Sequence, residues 1–447
     1  MLIYRLHCCR CSASAASGSG IPVVKPRVCS ADLASSADLK LVGQLLARWR
    51  AEGPQVVRHE LASLPKRGPL IEEVRLRLEG VPGPRLLVDG LWWTRPFGGV
   101  TRVWEQILRV WQLPGLITPA APVALIRRGD EIAAADGHFS LPGLSVDPLD
   151  HGAVMRLGGE NACFASSWRA DMFLSSWTSL CGDINDQAAW PELALVHDCM
   201  PERSRMDPAQ QQLRRSWLLR AMRCLAVSAD TARDLEGLRR WIPAPVPWCH
   251  PGSDLGVAED ALVLPVNKPY VLLPGTSRVG SYKNPELVAR ALRSAALLPL
   301  QLVITGLDAQ RHGEELEQRF PHLKGRWQAI GCSDAQLRLL YRGALAVVMP
   351  SRIEGYGLPV LEALQCRATV LSGDSRGLRE AGAGAVMRFD TETPAQLSAL
   401  LEMLMDASSG SWLQPILQRR RQERLEQMVP GCLGLALLAI ARTCLRQ

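Results

Sequence analysis

Pro350-Ser-Arg-Ile-Glu354-Gly-Tyr-Gly-Leu-Pro359-Val-Leu-Glu362-Ala363 is the stretch on which the reading of this chain turns. The apolar run Leu345–Pro350 predicts a buried strand, and Pro359–Leu364 predicts a helix. Between them Gly355 and Gly357 permit a tight loop without obstructing side chains, and Pro359 suits a helix's first turn. A strand that turns through glycines into a helix leaves the first helical N–H groups facing the crevice, a natural diphosphate site. Glu354 stands on the loop and Glu362 in the helix's first turns, where both can accept hydrogen bonds from sugar and ribose hydroxyls. The same two acids also suit the helix dipole with no ligand at all, and the stretch alone does not separate these readings.

Working back toward the N-terminus, a matching unit begins at Tyr270-Val-Leu-Leu-Pro-Gly275 and runs into Gly275-Thr-Ser-Arg278-Val-Gly-Ser-Tyr-Lys283-Asn284. Arg278 and Lys283, on a glycine-bearing loop after a strand, can reach a diphosphate and neutralise a leaving nucleotide; a solvated loop with two cations is the plainer account. Helices are predicted at Pro285–Ala295 and Asp334–Arg342, with strands at Leu302–Gly306, Thr369–Leu371 and Ala385–Phe389. An earlier unit opens with the strand Arg85–Asp89, the turn Gly98-Gly99-Val100 and a helix carrying Val103, Ile107, Val110 and Trp111. Strands follow at Val123–Ile126, Met172–Ser175, Ala194–His197 and Cys224–Ser228, with helices at Pro208–Arg223 and Ala229–Leu238. This alternation predicts an α/β protein of two Rossmann-like halves facing a central cleft, with ligands beyond the carboxyl ends of the strands. The divisions expected are an N-terminal extension over 1–84, halves over 85–266 and 267–430, and a C-terminal helix over 431–447. In the extension, Ser30 or Asp32 could cap a helix holding Leu33, Leu39, Leu41, Leu45 and Leu46, and a second helical piece covers Ile71–Leu78.

A length of 447 residues, 47% hydrophobic and 21% charged, suits a folded protein of two domains. With 51 Lys and Arg against 44 Asp and Glu the formal charge is +7, and no basic stripe interleaved with aromatics marks a nucleic-acid partner. Thirteen cysteines without repeating spacing argue against a disulfide framework and for a reducing, cytoplasmic setting. His7, Cys8, Cys9 and Cys11 lack a second cluster to complete a metal site, and residues 12–20 (SASAASGSG) read as a flexible tether. Residues 1–31 have no acidic side chain, as in organellar transit peptides, but no secretory pattern. The longest apolar run, Cys432–Ala441, is shorter than the about 20 residues needed to span a bilayer.

Together the two loops resemble the retaining glycosyltransferases of family 4, whose Glu-x7-Glu signature matches Glu354 and Glu362 and whose Arg and Lys match Arg278 and Lys283. Gly98-Gly99, Val196-His197-Asp198 with Pro201-Glu202, Val227-Ser228 and Pro251-Gly252 follow the same pattern in order, over about residues 85–400. The resemblance implies a GT-B fold and transfer of a hexosyl unit, mannosyl or glucosyl, from a nucleotide-diphosphate sugar to a hydroxyl, with configuration kept. It further implies that Glu362 binds the donor ribose, Glu354 the transferred sugar, and Arg278 and Lys283 the diphosphate. His197 would sit near the transferred sugar, Gly98-Gly99 would let the backbone approach donor or acceptor, and the amides of Gly355, Tyr356, Gly357 and Leu358 would complete the phosphate cradle. A packed histidine is the alternative for His197. No cofactor or metal is expected. One departure is Cys366-Arg367-Ala368, where the family carries glycine, which puts the local turn in question.

Two other functions fit the architecture. A sugar-nucleotide epimerase would need an acid/base pair, against which the Glu-x7-Glu spacing argues. A catalytically inactive partner or glycan-binding subunit would normally have lost one of the four charged residues, and all four are present. The acceptor, a glycan, lipid or small molecule, is set by the first half and is not legible. Gln211–Arg223 carries Arg214, Arg215, Arg220 and Arg223 beside Trp217, Leu218 and Leu219, and reads either as a core helix or as a helix lying on an anionic membrane that presents a lipid-linked acceptor. The last helix, Cys432–Leu445, should pack on the first half or close the second.

Overall fold

The computed structural model describes residue 33 and residues 35–445, except 66–67, 96–97, 130–132, 185–189, 204–206, 239–241, 243–244, 257–265, 268, 276–277 and 407–409. The cysteine cluster and serine-rich tether of the N-terminus, with Ser30 and Asp32, lie outside the described residues.

The first half contains α1 (Ser36–Glu52), α2 (Pro54–Ser63), α3 (Pro69–Leu78), β1 (Leu86–Asp89), α4 (Gly99–Trp111), β2 (Val123–Arg127) and β3 (Phe139–Pro142). It continues with α5 (His151–Trp168), β4 (Met172–Ser175), β5 (Glu192–Val196), α6 (Met200–Arg203), α7 (Pro208–Arg220), β6 (Ala221–Ala226) and α8 (Ala229–Gly237). The second half contains β7 (Tyr270–Leu273), α9 (Pro285–Ala291), β8 (Gln301–Thr305), α10 (Ala309–Arg319), β9 (Trp327–Ile330), α11 (Asp334–Gly343) and β10 (Ala346–Met349). After it come α12 (Leu358–Gln365), β11 (Val370–Gly373), α13 (Arg376–Gly382), β12 (Met387–Phe389), α14 (Pro394–Met405), α15 (Gly410–Leu425) and α16 (Cys432–Cys444).

Each half is a six-stranded, wholly parallel sheet, in the orders β3-β2-β1-β4-β5-β6 and β12-β11-β10-β7-β8-β9. Every residue of β1, β4, β7 and β10 is buried, which is why these strands read as unbroken apolar runs. Asp89 closes β1 from within, fully buried, and is held by Arg128, Ser179 and Asn161.

The strands that the sequence did not reveal are edges, and the helices α2, α5, α10, α14 and α15 were also not anticipated. The residues of β3 and β9 are nearly all half-buried or exposed, so they lack the apolar run of a central strand. Helix α7 stops at Arg220, and edge strand β6 begins at once with Ala221, three residues earlier than expected. Met222 is exposed and Arg223 half-buried there, so an apolar signal starts only at Cys224. Helix α1 is capped by Ser35, whose Oγ accepts from Asp38 N at 3.1 Å while Asp38 returns a bond to Ser35 N.

Helix α16 crosses back to the first half, where it packs against α3 and α4. Trp111 Nε1 donates to the Gly434 carbonyl at 3.1 Å. Buried Glu73 accepts from Arg77 at 2.7 Å and from Arg442 of α16 at 2.6 Å. The N-terminal helices and the C-terminal helix are therefore one structural layer. The described cysteines are all unpaired thiols.

Candidate donor and transfer site

The loop after β10 and the loop after β7 meet at the carboxyl edge of the second sheet. Lys283 Nζ lies 2.6 Å from Glu354 Oε1. Burial works against the Lys283 charge, but Glu354 outweighs it and holds the ammonium above its usual pKa. The two loops are tied by Arg352 N donating to the Tyr282 carbonyl at 2.9 Å. Asn284, in the left-handed region at φ 54°, adds bonds to the carbonyls of Thr391 and Pro350. Ser351 Oγ and Ser375 Oγ, flanking this loop, are buried without a partner among the described residues. Arg278 is exposed, and its guanidinium pairs with no described residue. It is thus available to an anion, while Lys283 is already held.

Helix α12 begins at Leu358 with Pro359 in its first turn and no side-chain cap, so its leading N–H groups have no intrahelical acceptor. Gly357 precedes it at φ 105°, a conformation that favours glycine. Gly355 is needed for another reason: a Cβ there would sit 2.2 Å from the His197 carbonyl oxygen of the other half. Ser228 Oγ and Thr231 Oγ1 also grip the Gly355 carbonyl, at 2.6 and 3.1 Å. The cleft closes at this point, which brings His197 to the Glu354 loop. Burial, helped by Arg214, lowers His197 to about 3, so the imidazole is neutral. Its Nε2 is buried with no partner among the described residues.

Glu362 is buried, and both its oxygens are engaged: Oε2 accepts from Tyr341 at 3.0 Å, and Oε1 meets Arg102 Nη1 at 3.1 Å. Burial raises its pKa despite Arg102 and Tyr341. Arg102 stands on α4, one turn past Gly98-Gly99, and also pairs with Asp334 at the head of α11. A side chain at Gly98 or Gly99 would meet open space. Leu358 is buried, and the Tyr356 side chain turns away: its ring stacks on His250 at 4.8 Å and its hydroxyl meets Arg424 and the Met428 sulfur. Tyr356 can contribute to a ligand through its backbone alone.

Several partners escaped the sequence. Glu202 of the Pro201-Glu202 pair accepts from Arg214 at 2.7 Å, fixing the loop behind His197. Glu380 receives the first amides of α8, from Ala229 at 2.7 Å and Asp230 at 2.9 Å, and meets His250 Nε2 at 2.5 Å. Ser228, singled out in the sequence only through the resemblance, caps α8 by accepting from Thr231 N at 3.0 Å. Gly252 packs on Pro430, where the chain's two crossings between halves touch. Arg367 keeps glycine's left-handed turn, at φ 62°. In α7, Arg214 and Arg220 point inward, Arg220 to Glu192 at 2.7 Å, and Leu213, Trp217 and Leu218 are core residues. That is the arrangement of a core helix. No described helix is long and apolar enough to cross a membrane.

Two Rossmann-like halves meeting over such a cleft define the GT-B class of fold. The chain resembles sucrose-phosphate synthase from Thermosynechococcus elongatus, with a TM-score of 0.61 and 17% identity over 81% of this chain and 99% of that one. It also resembles HepE from Anabaena, solved with UDP and glucose, with a TM-score of 0.58 and 17% identity over 81% of this chain and 100% of the other. Residues 259–414 match the family model "Glycosyl transferases group 1". A D-inositol 3-phosphate glycosyltransferase of Mycolicibacterium paratuberculosis is 31% identical over 212 residues, 43% of this chain and 45% of that protein. A glycogen synthase of Caldicellulosiruptor bescii is 28% identical over 153 residues, 32% of each. The chain thus spans about a third to a half of the length of these curated relatives.

Proposed function

We propose that this protein is a retaining hexosyltransferase that moves a glucosyl or mannosyl unit from a nucleotide-diphosphate sugar to a hydroxyl of a glycan, lipid or small molecule. The observation that carries this reading is the meeting of the Lys283–Glu354 pair, the uncapped head of α12 and the His197 Nε2, which has no partner among the described residues, across the cleft. Lys283, Arg278 and the amides of Gly355–Leu358 hold the diphosphate and neutralise the charge that grows on it as the anomeric C–O bond breaks. Glu354 accepts hydrogen bonds from the transferred sugar, and neutral His197 supplies Nε2 to one of its hydroxyls. The acceptor oxygen bonds to the anomeric carbon on the face the diphosphate leaves, and its proton passes to the departing phosphate oxygen. Glu362 is assigned to the donor ribose, for which Arg102 must yield or share the carboxylate. No cofactor or metal is assigned, and the setting proposed is cytoplasmic, free or peripheral on an anionic membrane.

The test is release of nucleotide diphosphate from UDP-, GDP- and ADP-sugars; UDP-sugars come first because HepE was solved with UDP-glucose. Release from one donor, reduced at least about a hundredfold in Lys283→Ala and Glu354→Ala, is expected. The engagement of both Glu362 oxygens favours, as second reading, a non-catalytic partner. Silence with every donor and with cell-derived acceptors, together with no nucleotide binding by calorimetry, would establish that alternative.

A further inference from the structure

Arg102 stands on α4 and reaches out of the first half to the carboxylate of Glu362 in the second. Its Nη1 lies 3.1 Å from Glu362 Oε1, while Nη2 pairs with Asp334 at the head of α11. The other oxygen of Glu362 accepts from Tyr341, also on α11, at 3.0 Å. The Glu362 side chain is 5% exposed and that of Arg102 26%, so salt screens the pair poorly. It therefore differs from the ordinary ion pairs of a protein surface, whose net worth is small.

A carboxylate buried this deeply must be paired, since a lone charge there is strongly disfavoured. Arg102 supplies the pairing, and it does so from the opposite half. Burial works against the guanidinium charge, but Glu362 and Asp334 outweigh it and hold Arg102 above its usual pKa. With Tyr341 on one oxygen and Arg102 on the other, Glu362 presents no open face to a ribose hydroxyl until Arg102 withdraws. Withdrawal does not strand the cation, because Asp334 is an exposed partner at the rim of the cleft.

We propose that Arg102 is an internal competitor of the donor: a latch that occupies the ribose carboxylate and gives it up only to a nucleotide. The proposal rests on the donor-site reading above, in which Glu362 takes the ribose, and adds how that site is regulated. The contact is autoinhibitory. The form that binds donor is the one in which Arg102 has let go of Glu362, so apparent donor affinity falls by the fraction of molecules still latched. An arginine that served the donor directly would act with the opposite sign, and this separates the two roles.

The experiment is calorimetric titration of the full chain with UDP, GDP and ADP, in the parent, Arg102→Met and Arg102→Gln. The nucleotide that binds is then compared with its 2′,3′-dideoxy form, which lacks the hydroxyls assigned to Glu362. Arg102→Met should bind the ribose nucleotide at least about fivefold more tightly than the parent, with Arg102→Gln between the two. The dideoxy form should show no such gain, and in a Glu362→Gln background the loss of Arg102 should change nothing. A cooperative thermal transition shows that each variant is folded, and Arg102→Gln decides if Arg102→Met is not. Equal or weaker binding without Arg102 overturns the proposal, and so does an equal gain with the dideoxy nucleotide, which would make Arg102 a mere tie between the halves. In those cases nucleotide still binds and the donor reading stands without the latch. If neither the parent nor a folded variant binds any nucleotide, the donor reading fails and the latch with it.

Discussion

Burial, with Arg214 behind it, pulls His197 down to about 3, and this has a measurable cost in stability. Above pH 6.5 the imidazole is neutral in both folded and unfolded chains. As pH falls below 6.5 the unfolded chain takes up a proton that the folded one refuses, so stability is lost toward acid. The loss approaches about 1.4 kcal/mol per pH unit, so between pH 6.5 and 5 the parent should lose about 2 kcal/mol more than His197→Gln. Urea unfolding at a series of pH values measures the difference; parallel curves would show that the imidazole is not sealed off. Glu354 and Lys283 were legible as residues because the strand–glycine–helix pattern around them is local. The pairing of Glu362 with Arg102 was not, because it joins residues far apart in sequence through the contact of two domains.

The buried set of Glu73, Arg77 and Arg442 fastens α3 to α16. Removing Glu73 leaves two buried guanidinium groups without their carboxylate, and Glu73→Ala should cost about 3–5 kcal/mol. Replacing all three residues with Leu or Met of similar volume should cost less, since desolvation of the charges is then avoided as well. Chemical denaturation of both variants checks the order. Central strands β1, β4, β7 and β10 could be read from sequence because burial on both faces demands unbroken apolar runs. Edge strands β3, β6 and β9 have one side open, and their mixed composition hid them or shifted their starts.

Polar clasps between the halves include Arg102 between Glu362 and Asp334, Glu380 on the first turn of α8 and His250, and Arg376 on Asp230 and Asp234. With Gly355 packed on His197, they set the angle of the cleft. Arg102→Ala combined with Glu380→Gln should therefore raise the radius of gyration in small-angle scattering without nucleotide. Nucleotide should bring the parent to an equal or tighter form. Identical profiles for parent and double variant would show that the remaining contacts, among them Arg376 with Asp230 and Asp234 and the Gly355 carbonyl with Ser228 and Thr231, suffice to fix the angle.

The sequence by itself determined the alternation of strands and helices, hence two parallel sheets, the loops that carry Arg278, Lys283 and Glu354, and the helix that carries Glu362. These features rest on periodicity and turn chemistry, which act over a few neighbouring residues. Only the tertiary structure decided that α16 returns to the first half, that Glu362 is clasped by Arg102, and that His197 meets the Glu354 loop through a glycine. It alone placed Trp92 against Trp177. Each of these depends on which surfaces bury one another across long separations, and no local pattern encodes that choice.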